Sequence, residues 1–100
     1  MPIEFEWDLN KAESNLRKHG VAFEDAIRAF SDPYSFTELE RHVDGEERWQ
    51  MLGFANQYVL LLVVHTSRDI DGFEIVRIIS ARNATNIERK RYEKNYYGSI

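Results

Sequence analysis

Turn signals divide the second half of the chain into short strands, and their spacing strongly limits the possible folds. Asp44-Gly45 and Asp71-Gly72 each separate two segments of alternating or apolar character, as in two-residue β-hairpins. Residues 55–57, Ala-Asn-Gln, form a further predicted turn. The strands predicted around these turns cover residues 34–41, 48–54, 58–66 and 73–80. Consecutive hairpins of this kind build an antiparallel meander.

The N-terminal third predicts one strand followed by two helices. Residues 3–7 alternate apolar and acidic side chains, which is the pattern of a half-buried strand. A helix is predicted over residues 11–19, with Gly20 in the left-handed conformation that ends many helices. Apolar residues at helical spacing predict a second helix over residues 23–30, which must end before Pro33.

The chain closes with a helix that is predicted from Thr85 to about residue 96. The spacing of Thr85 and Glu88 is that of a capping box. Its apolar stripe is thin, so we expect the helix to be either loosely packed or completed by a partner. The predicted element order is β-α-α-β-β-β-β-α, an α+β fold in a single domain over residues 1–100. We expect a mainly antiparallel sheet with the helices packed on one face, and the first strand at an edge or beside a non-neighbour.

Composition excludes several classes of function. The chain has no cysteine, so disulfides and thiolate chemistry are excluded. Residues 59–64 form the longest apolar run, which is too short to span a bilayer, and no signal peptide is recognisable. We therefore expect a soluble, cytoplasmic protein. The three histidines lie on different predicted elements and no nucleotide, metal or hydrolase motif is present, so we expect no metal and no cofactor.

Positive charge is concentrated in the last quarter of the chain. Residues 1–47 carry five basic and twelve acidic side chains, whereas residues 73–100 carry six basic and three acidic ones. This distribution could hold one local anionic group. The alternative is a charged helix face that is simply solvated.

Arg77 is the most unusual basic residue, because it lies within an otherwise apolar predicted strand. A guanidinium in that position requires a partner, which is either an acidic residue of the N-terminal half or an anionic substrate. In a straight strand, Arg77 and Arg82 would also point to opposite sides of the sheet. They can serve one site only if the chain bends near Ala81.

An arginine-rich site with a histidine suits cleavage of RNA by attack of the 2'-hydroxyl group on the adjacent phosphorus. Guanidinium groups stabilise the anionic centre, and histidine supplies the acid or the base. Structural roles are the alternative: a cross-strand ion pair for Arg48, and a hydrogen-bonded strand end for His65. The predicted catalytic candidates are Arg48, His65, Arg77, Arg82, Glu88 and Tyr92, and the predicted RNA-binding residues are Arg89, Lys90 and Arg91.

Five segments carry a pattern that extends over nearly the whole chain. They are F-E-W-D-x-x-K-A-x-x-N-L-R-K-H-G-V-x-F-x-x-A (5–26), G-E-E-R (45–48), V-V-H-T (63–66), R-I-I-S-A-R (77–82) and E-R-x-x-Y (88–92). In this order they resemble the BrnT-type toxins of bacterial type II toxin-antitoxin systems, within the RelE/ParE-like superfamily. The lysine-rich helix typical of many RelE relatives is not present in the sequence.

This resemblance implies a compact RelE/ParE-like fold and a ribonuclease that blocks translation and arrests growth. It also implies neutralisation by a BrnA-like antitoxin with a ribbon-helix-helix domain. The expected complex is a hetero-oligomer, for which 2:2 is one stoichiometry, and it binds operator DNA only through the antitoxin. The residues alone leave another function open, a non-catalytic interaction module or corepressor that acts by binding a partner.

Overall fold

The computed structural model describes residues 2–98, which form five strands and three helices. Their order confirms the prediction of β-α-α-β-β-β-β-α. Among residues 2–98, no helix has the length and apolar character needed to cross a membrane. The elements are β1 (Ile3–Glu6), α1 (Leu9–His19), α2 (Phe23–Ala29), β2 (Phe36–Val43), β3 (Glu46–Phe54), β4 (Leu60–Ile70), β5 (Phe73–Asn83) and α3 (Asn86–Gly98).

The five strands form one sheet in the order β1-β5-β4-β3-β2. Strands β2 to β5 are the predicted antiparallel meander. Strand β1 lies at the edge, parallel to β5, with Glu6 opposite Arg77. The first strand therefore joins a non-neighbour, because α1 and α2 carry the chain across one side of the sheet before the meander begins.

The two Asp-Gly turns set the register of the meander. Asp44 and Gly45 have φ angles of 51° and 79°, and Asp71 and Gly72 have φ angles of 51° and 84°. A two-residue turn with positive φ at both positions matches the twist of the strands that it joins. Aspartate tolerates this conformation better than most residues, and glycine adopts it freely.

Helices α1 and α2 cover one side of the sheet, which we call the α1/α2 face. Phe23, Ala26 and Ala29 of α2 are buried there against Leu61 and Val63 of β4. A glycine in β3 allows this close approach, since a Cβ atom at Gly53 would lie 2.5 Å from a backbone oxygen of α2. The main core of the protein lies on this face.

Helix α3 covers part of the opposite side, which we call the α3 face. Tyr92 of α3 is buried with Leu52, Leu60 and Leu62. The prediction that all helices pack on one face is therefore wrong. The physical reason is the continuous apolar run of β4, because successive side chains point to opposite sides of a strand and both sides then need a cover.

Strand β1 pairs with residues 74–77 of β5, so within residues 2–98 the C-terminal part of β5 has no strand beside it at this edge. An asparagine side chain occupies the place of that strand. Asn15 of α1 is buried, accepts a hydrogen bond from the Ala81 N–H at 3.1 Å and donates one to the Ala81 carbonyl at 2.8 Å. It also donates to the Val21 carbonyl at 3.0 Å. The amide thus satisfies backbone groups that an open sheet edge would leave unpaired.

Candidate functional site

A β-bulge in β5 decides which side of the sheet each arginine occupies. Val64 pairs with Ser80 and His65 pairs with Ile78, so Ile79 has no partner in β4. The extra residue reverses the alternation, and Arg77 and Arg82 therefore lie on the same side, the α3 face. The predicted bend at Ala81 is replaced by this bulge two residues earlier.

Besides Arg82, four arginines lie on the α3 face, one from each of the neighbouring strands β2 to β5. Arg77 pairs with Thr66, and Arg68 follows Thr66 by two residues, so both share its side of β4 and β5. Arg48 and Arg41 lie directly opposite each other in β3 and β2. Trp49 pairs with His65, and both point to the α1/α2 face. Arg48 and Thr66 are their neighbours in β3 and β4, so both point to the α3 face. We call Arg41, Arg48, Arg68 and Arg77 the arginine surface.

Three carboxylates accompany the four arginines of this surface, and one of them, Glu40, lies 3.0 Å from the Arg41 Nε atom. Glu6 accepts a hydrogen bond from Arg68 at 2.8 Å and lies 3.9 Å from the Arg77 Nε atom. Glu46 lies 3.5 Å from a terminal nitrogen of Arg77. The Nε atoms of Arg48 and Arg77 are buried and have no hydrogen-bond partner within residues 2–98. Arg77 therefore has the ion-pair partners from the acidic N-terminal half that the sequence offers as the alternative to a substrate. Its distances to Glu6 and Glu46 are too long for hydrogen bonds.

Arg82 lies at the border of α3 and is fully engaged with Glu88. Its two terminal nitrogens donate to the two Glu88 oxygens at 2.8 and 2.9 Å. These hydrogen bonds lower the pKa of Glu88 and raise that of Arg82. Glu88 also accepts from the Thr85 N–H at 2.9 Å, and the Glu88 N–H donates to the Thr85 hydroxyl, which confirms the predicted capping box.

Tyr92 connects α3 to the rest of the fold. Its hydroxyl donates to an Asp32 carboxylate oxygen at 2.6 Å, and the same oxygen accepts from the Phe54 N–H at 2.8 Å. Its ring packs edge-on against Phe54, with a centroid distance of 5.1 Å. Burial and the Asp32 carboxylate raise the pKa of Tyr92. A tyrosine held in this way is suited to a structural role.

The three predicted RNA-binding residues of α3 point in different directions. The Arg89 guanidinium lies over the Phe54 ring at 5.6 Å from its centroid, a cation–π contact. Arg91 forms an ion pair with Glu38 of β2, the strand that also carries Arg41 of the arginine surface. Lys90 is exposed. Arg91 is therefore the one of the three that adjoins the arginine surface.

His65 lies on the opposite side of the sheet from the arginines. Its ring contacts Phe30 edge-on at a centroid distance of 5.0 Å, and its neighbour Thr66 is the residue that faces Arg77. The expectation that His65 completes the surface of Arg48 and Arg77 is wrong, since adjacent residues of a strand point to opposite faces. Burial lowers the pKa of His65, opposed in part by the Val63 carbonyl and by Glu74.

Two arginines of this surface, Arg41 and Arg68, were not among the residues predicted from the sequence. The central strand was predicted to end at Thr66, whereas β4 continues to Ile70. Alternation through residues 64, 66 and 68 would have identified Arg68 if the strand had been extended. Arg41 was placed in a strand, but its side depends on a register shift between Leu39 and Arg41 that the sequence does not signal.

The arginine surface can bind an anion that spans several strands. Four guanidinium groups offer up to five donors each, and planar guanidinium groups bind phosphate oxygens in pairs. Like charges directly opposite each other, as for Arg41 and Arg48, are unfavourable unless a counter-charge is near. Within residues 2–98, His, Asp and Glu side chains form no cluster of three or more that could hold a metal ion.

Two comparisons with known proteins find a match, one to a family and one to a solved structure. The model of the family described as "Ribonuclease toxin, BrnT, of type II toxin-antitoxin system" matches residues 7–88. Among solved structures, the chain is similar to the 1.1 Å crystal structure of the Brucella abortus ribonuclease toxin BrnT, with a TM-score of 0.58 and 20% identity. That match covers 86% of this chain and 100% of the Brucella chain, and at this identity it supports the fold alone. A search of curated proteins finds no match.

Proposed function

The chain belongs to the BrnT family of ribonuclease toxins of type II toxin-antitoxin systems, and on that premise we propose that it is an endoribonuclease that cleaves RNA without a metal ion. Cleavage of cellular RNA blocks translation and arrests growth. In this proposal the scissile phosphate binds at the arginine surface. The observation that carries the assignment is the pair Arg48 and Arg77, whose buried Nε–H groups lack partners on strands that flank β4.

The arginines bind the phosphate and stabilise the transition state. The RNA 2'-hydroxyl loses its proton and attacks the adjacent phosphorus, and the bond to the 5'-oxygen breaks. The leaving 5'-oxygen takes a proton from solvent water, so the products carry a 2',3'-cyclic phosphate and a free 5'-hydroxyl group. Charge increases on the non-bridging oxygens during this step, and guanidinium groups held in place by a sheet stabilise it without reorganisation. Arg77 and Arg48 supply this stabilisation, and Arg91 and Arg82 extend the positive path toward α3.

The proton of the 2'-hydroxyl group needs an acceptor on the same face. His65 faces the other side of the sheet, so Glu46 takes this role in the proposal. Its carboxylate lies 3.5 Å from Arg77 and its side chain is 47% exposed, which leaves it accessible to a bound ribose. Tyr92 and Glu88 act by positioning α3 and Arg82.

The proposed partner is a BrnA-like antitoxin with a ribbon-helix-helix domain. As a type II toxin, the chain has a protein antitoxin as its regulator. A hetero-oligomer with this protein, of 2:2 stoichiometry, would neutralise the ribonuclease. Binding to operator DNA would then occur through the antitoxin, since the net charge of the toxin is −4.

Cleavage in the presence of EDTA tests the chemistry. Purified protein is incubated with a 5'-labelled RNA, and the product ends are analysed for a 2',3'-cyclic phosphate. We expect cleavage by the wild type and strong loss in Arg48→Ala and Glu46→Gln. Arg28→Ala is the matched control, because Arg28 is exposed on α2, away from the arginine surface, and pairs with Asp25 of the same helix. Intact RNA at a large excess of protein would overturn the proposal.

A non-catalytic binding module is the second candidate. Ile70 and Phe73 pair at the tip of the β4–β5 hairpin and are 46% and 40% exposed. Exposed apolar side chains beside an arginine surface also suit contact with a protein. Growth arrest by the wild type together with intact RNA in the EDTA assay would favour this function.

A further inference from the structure

A groove on the α1/α2 face lies on the opposite side of the sheet from the arginine surface. Its volume is about 520 Å³, and residues from all five strands and from the end of α2 line it. The residues that matter chemically are Phe30, Glu47, Trp49, His65, Ser67 and Glu74. None of these residues has a role in the phosphate site proposed above.

Aromatic rings form the apolar part of the groove. Trp49 pairs with His65 across β3 and β4, and both side chains point to this face. Phe30 packs edge-on against His65 at a centroid distance of 5.0 Å. The indole of Trp49 is only partly buried, so a flat cationic group can stack on it.

Hydrogen-bond acceptors supply the polar part. Glu74 accepts from the Ser67 hydroxyl at 2.7 Å, and Glu47 lies 3.8 Å from the exposed His42. The His65 side chain lines the groove, and the residue is only 5% exposed. Among the residues that the structure describes, 2–98, no lysine or arginine lines the groove. Two carboxylates without a cation therefore face a site that has aromatic walls.

We propose that this groove binds an arginine side chain presented by a partner protein. A guanidinium group has only donors, stacks on aromatic rings and forms paired hydrogen bonds with carboxylates, and the groove offers the complement of each property. RNA is disfavoured here, because Glu47 and Glu74 repel phosphate groups. The inference rests on the proposed function for the identity of the partner, which is the antitoxin.

This assignment places inhibition and catalysis on opposite sides of the sheet. A partner anchored at Trp49 need not compete with RNA for Arg77. Variants of the two sites should therefore separate toxicity from neutralisation.

A direct binding experiment uses the intrinsic fluorescence of Trp49. The full chain is titrated with a leucine-arginine-leucine peptide amide and with the same peptide carrying citrulline, which keeps the shape of arginine and removes its charge. We expect a saturable change with the arginine peptide and binding at least about tenfold weaker with citrulline. The change should vanish in Trp49→Phe and weaken about tenfold in Glu47→Gln/Glu74→Gln. The pair Glu13→Gln/Glu24→Gln, on the helices, removes the same charge elsewhere and should bind as the wild type does.

Equal binding of the two peptides would overturn the proposal, and so would a response to nucleosides without one to the arginine peptide. A second experiment co-expresses the antitoxin with Glu74→Lys, after circular dichroism has established a native fold. We expect growth arrest that the antitoxin no longer relieves, and normal relief would contradict the inference. If the wild type causes no arrest, the proposed function fails, whereas the peptide titration still tests the groove.

Discussion

Removal of the Tyr92 hydroxyl distinguishes a structural role from a catalytic one. The hydroxyl lies 2.6 Å from Asp32, whose other hydrogen bonds come from the backbone N–H groups of Tyr34 at 2.9 Å and Phe54 at 2.8 Å. Tyr92→Phe removes one hydrogen bond to a carboxylate. It leaves the ring in contact with Phe54 and leaves Asp32 with two donors.

The expected loss of stability lies at the lower end for hydrogen bonds to charged groups, about 1.5 kcal/mol, because no buried group is left unsatisfied. For a domain of this size that loss lowers the melting temperature by about 7 °C. Urea and thermal unfolding followed by circular dichroism measure it. RNA cleavage, assayed well below the melting temperature, should remain at the wild-type rate.

A matched control is Tyr58→Phe, since Tyr58 is 79% exposed. This variant should match the wild type in both stability and cleavage. If Tyr92→Phe has wild-type stability but no longer cleaves RNA, the tyrosine takes part in the chemistry and the structural interpretation is refuted.

Three other substitutions test the packing and the electrostatics of the fold. Gly53→Ala should destabilise by about 2–3 kcal/mol in urea unfolding, because its Cβ would lie 2.5 Å from a backbone oxygen of α2; wild-type stability would contradict that approach. Asn15→Ala should cost about 3 kcal/mol, since it leaves both Ala81 backbone groups unpaired, and hydrogen exchange at the Ala81 amide should accelerate. Glu88→Gln should cost about 1 kcal/mol at neutral pH. Arg82 lowers the pKa of Glu88, so the ion pair stabilises the fold at pH values above the usual carboxyl pKa and loses this effect as the pH falls through the lowered pKa of Glu88. A difference in stability between Glu88→Gln and the wild type that persists in strong acid would refute this.

Local chemistry made most of the fold predictable. The Asp44-Gly45 and Asp71-Gly72 turns need positive φ, and Gly20 is left-handed with φ of 70° as predicted for the end of α1. These positions fix where elements end independently of distant contacts. Element order and the meander follow from them.

Features that depend on tertiary contacts were not predictable in the same way. Strand β4 runs four residues beyond its predicted end at Thr66, because pairing with β5 holds a polar segment extended. The position of α3 on its own face depends on Tyr92 reaching Asp32, sixty residues earlier. Neither contact leaves a local signal in the sequence.

The candidate site was predicted in part. The sequence predicts Arg77 because charge in an apolar strand needs a partner, and it predicts Arg48 as an arginine of a neighbouring strand. The structure places both on one surface. The sequence carries no signal of the bulge at Ile79. Without this bulge, strand alternation would place Arg77 and Arg82 on opposite sides of the sheet. His65 is predicted as a site residue from its chemistry alone, and strand alternation places it on the other face.

The cleavage rate of Arg77→Ala in EDTA tests the proposed site most directly. Single-turnover cleavage of one labelled RNA is compared for the wild type, Arg77→Ala and the exposed control Arg28→Ala, each with a native circular dichroism spectrum. We predict equal rates for the wild type and Arg28→Ala, and a rate at least about a hundredfold lower for Arg77→Ala. Equal rates for all three proteins would contradict the assignment of the arginine surface as the site of RNA cleavage.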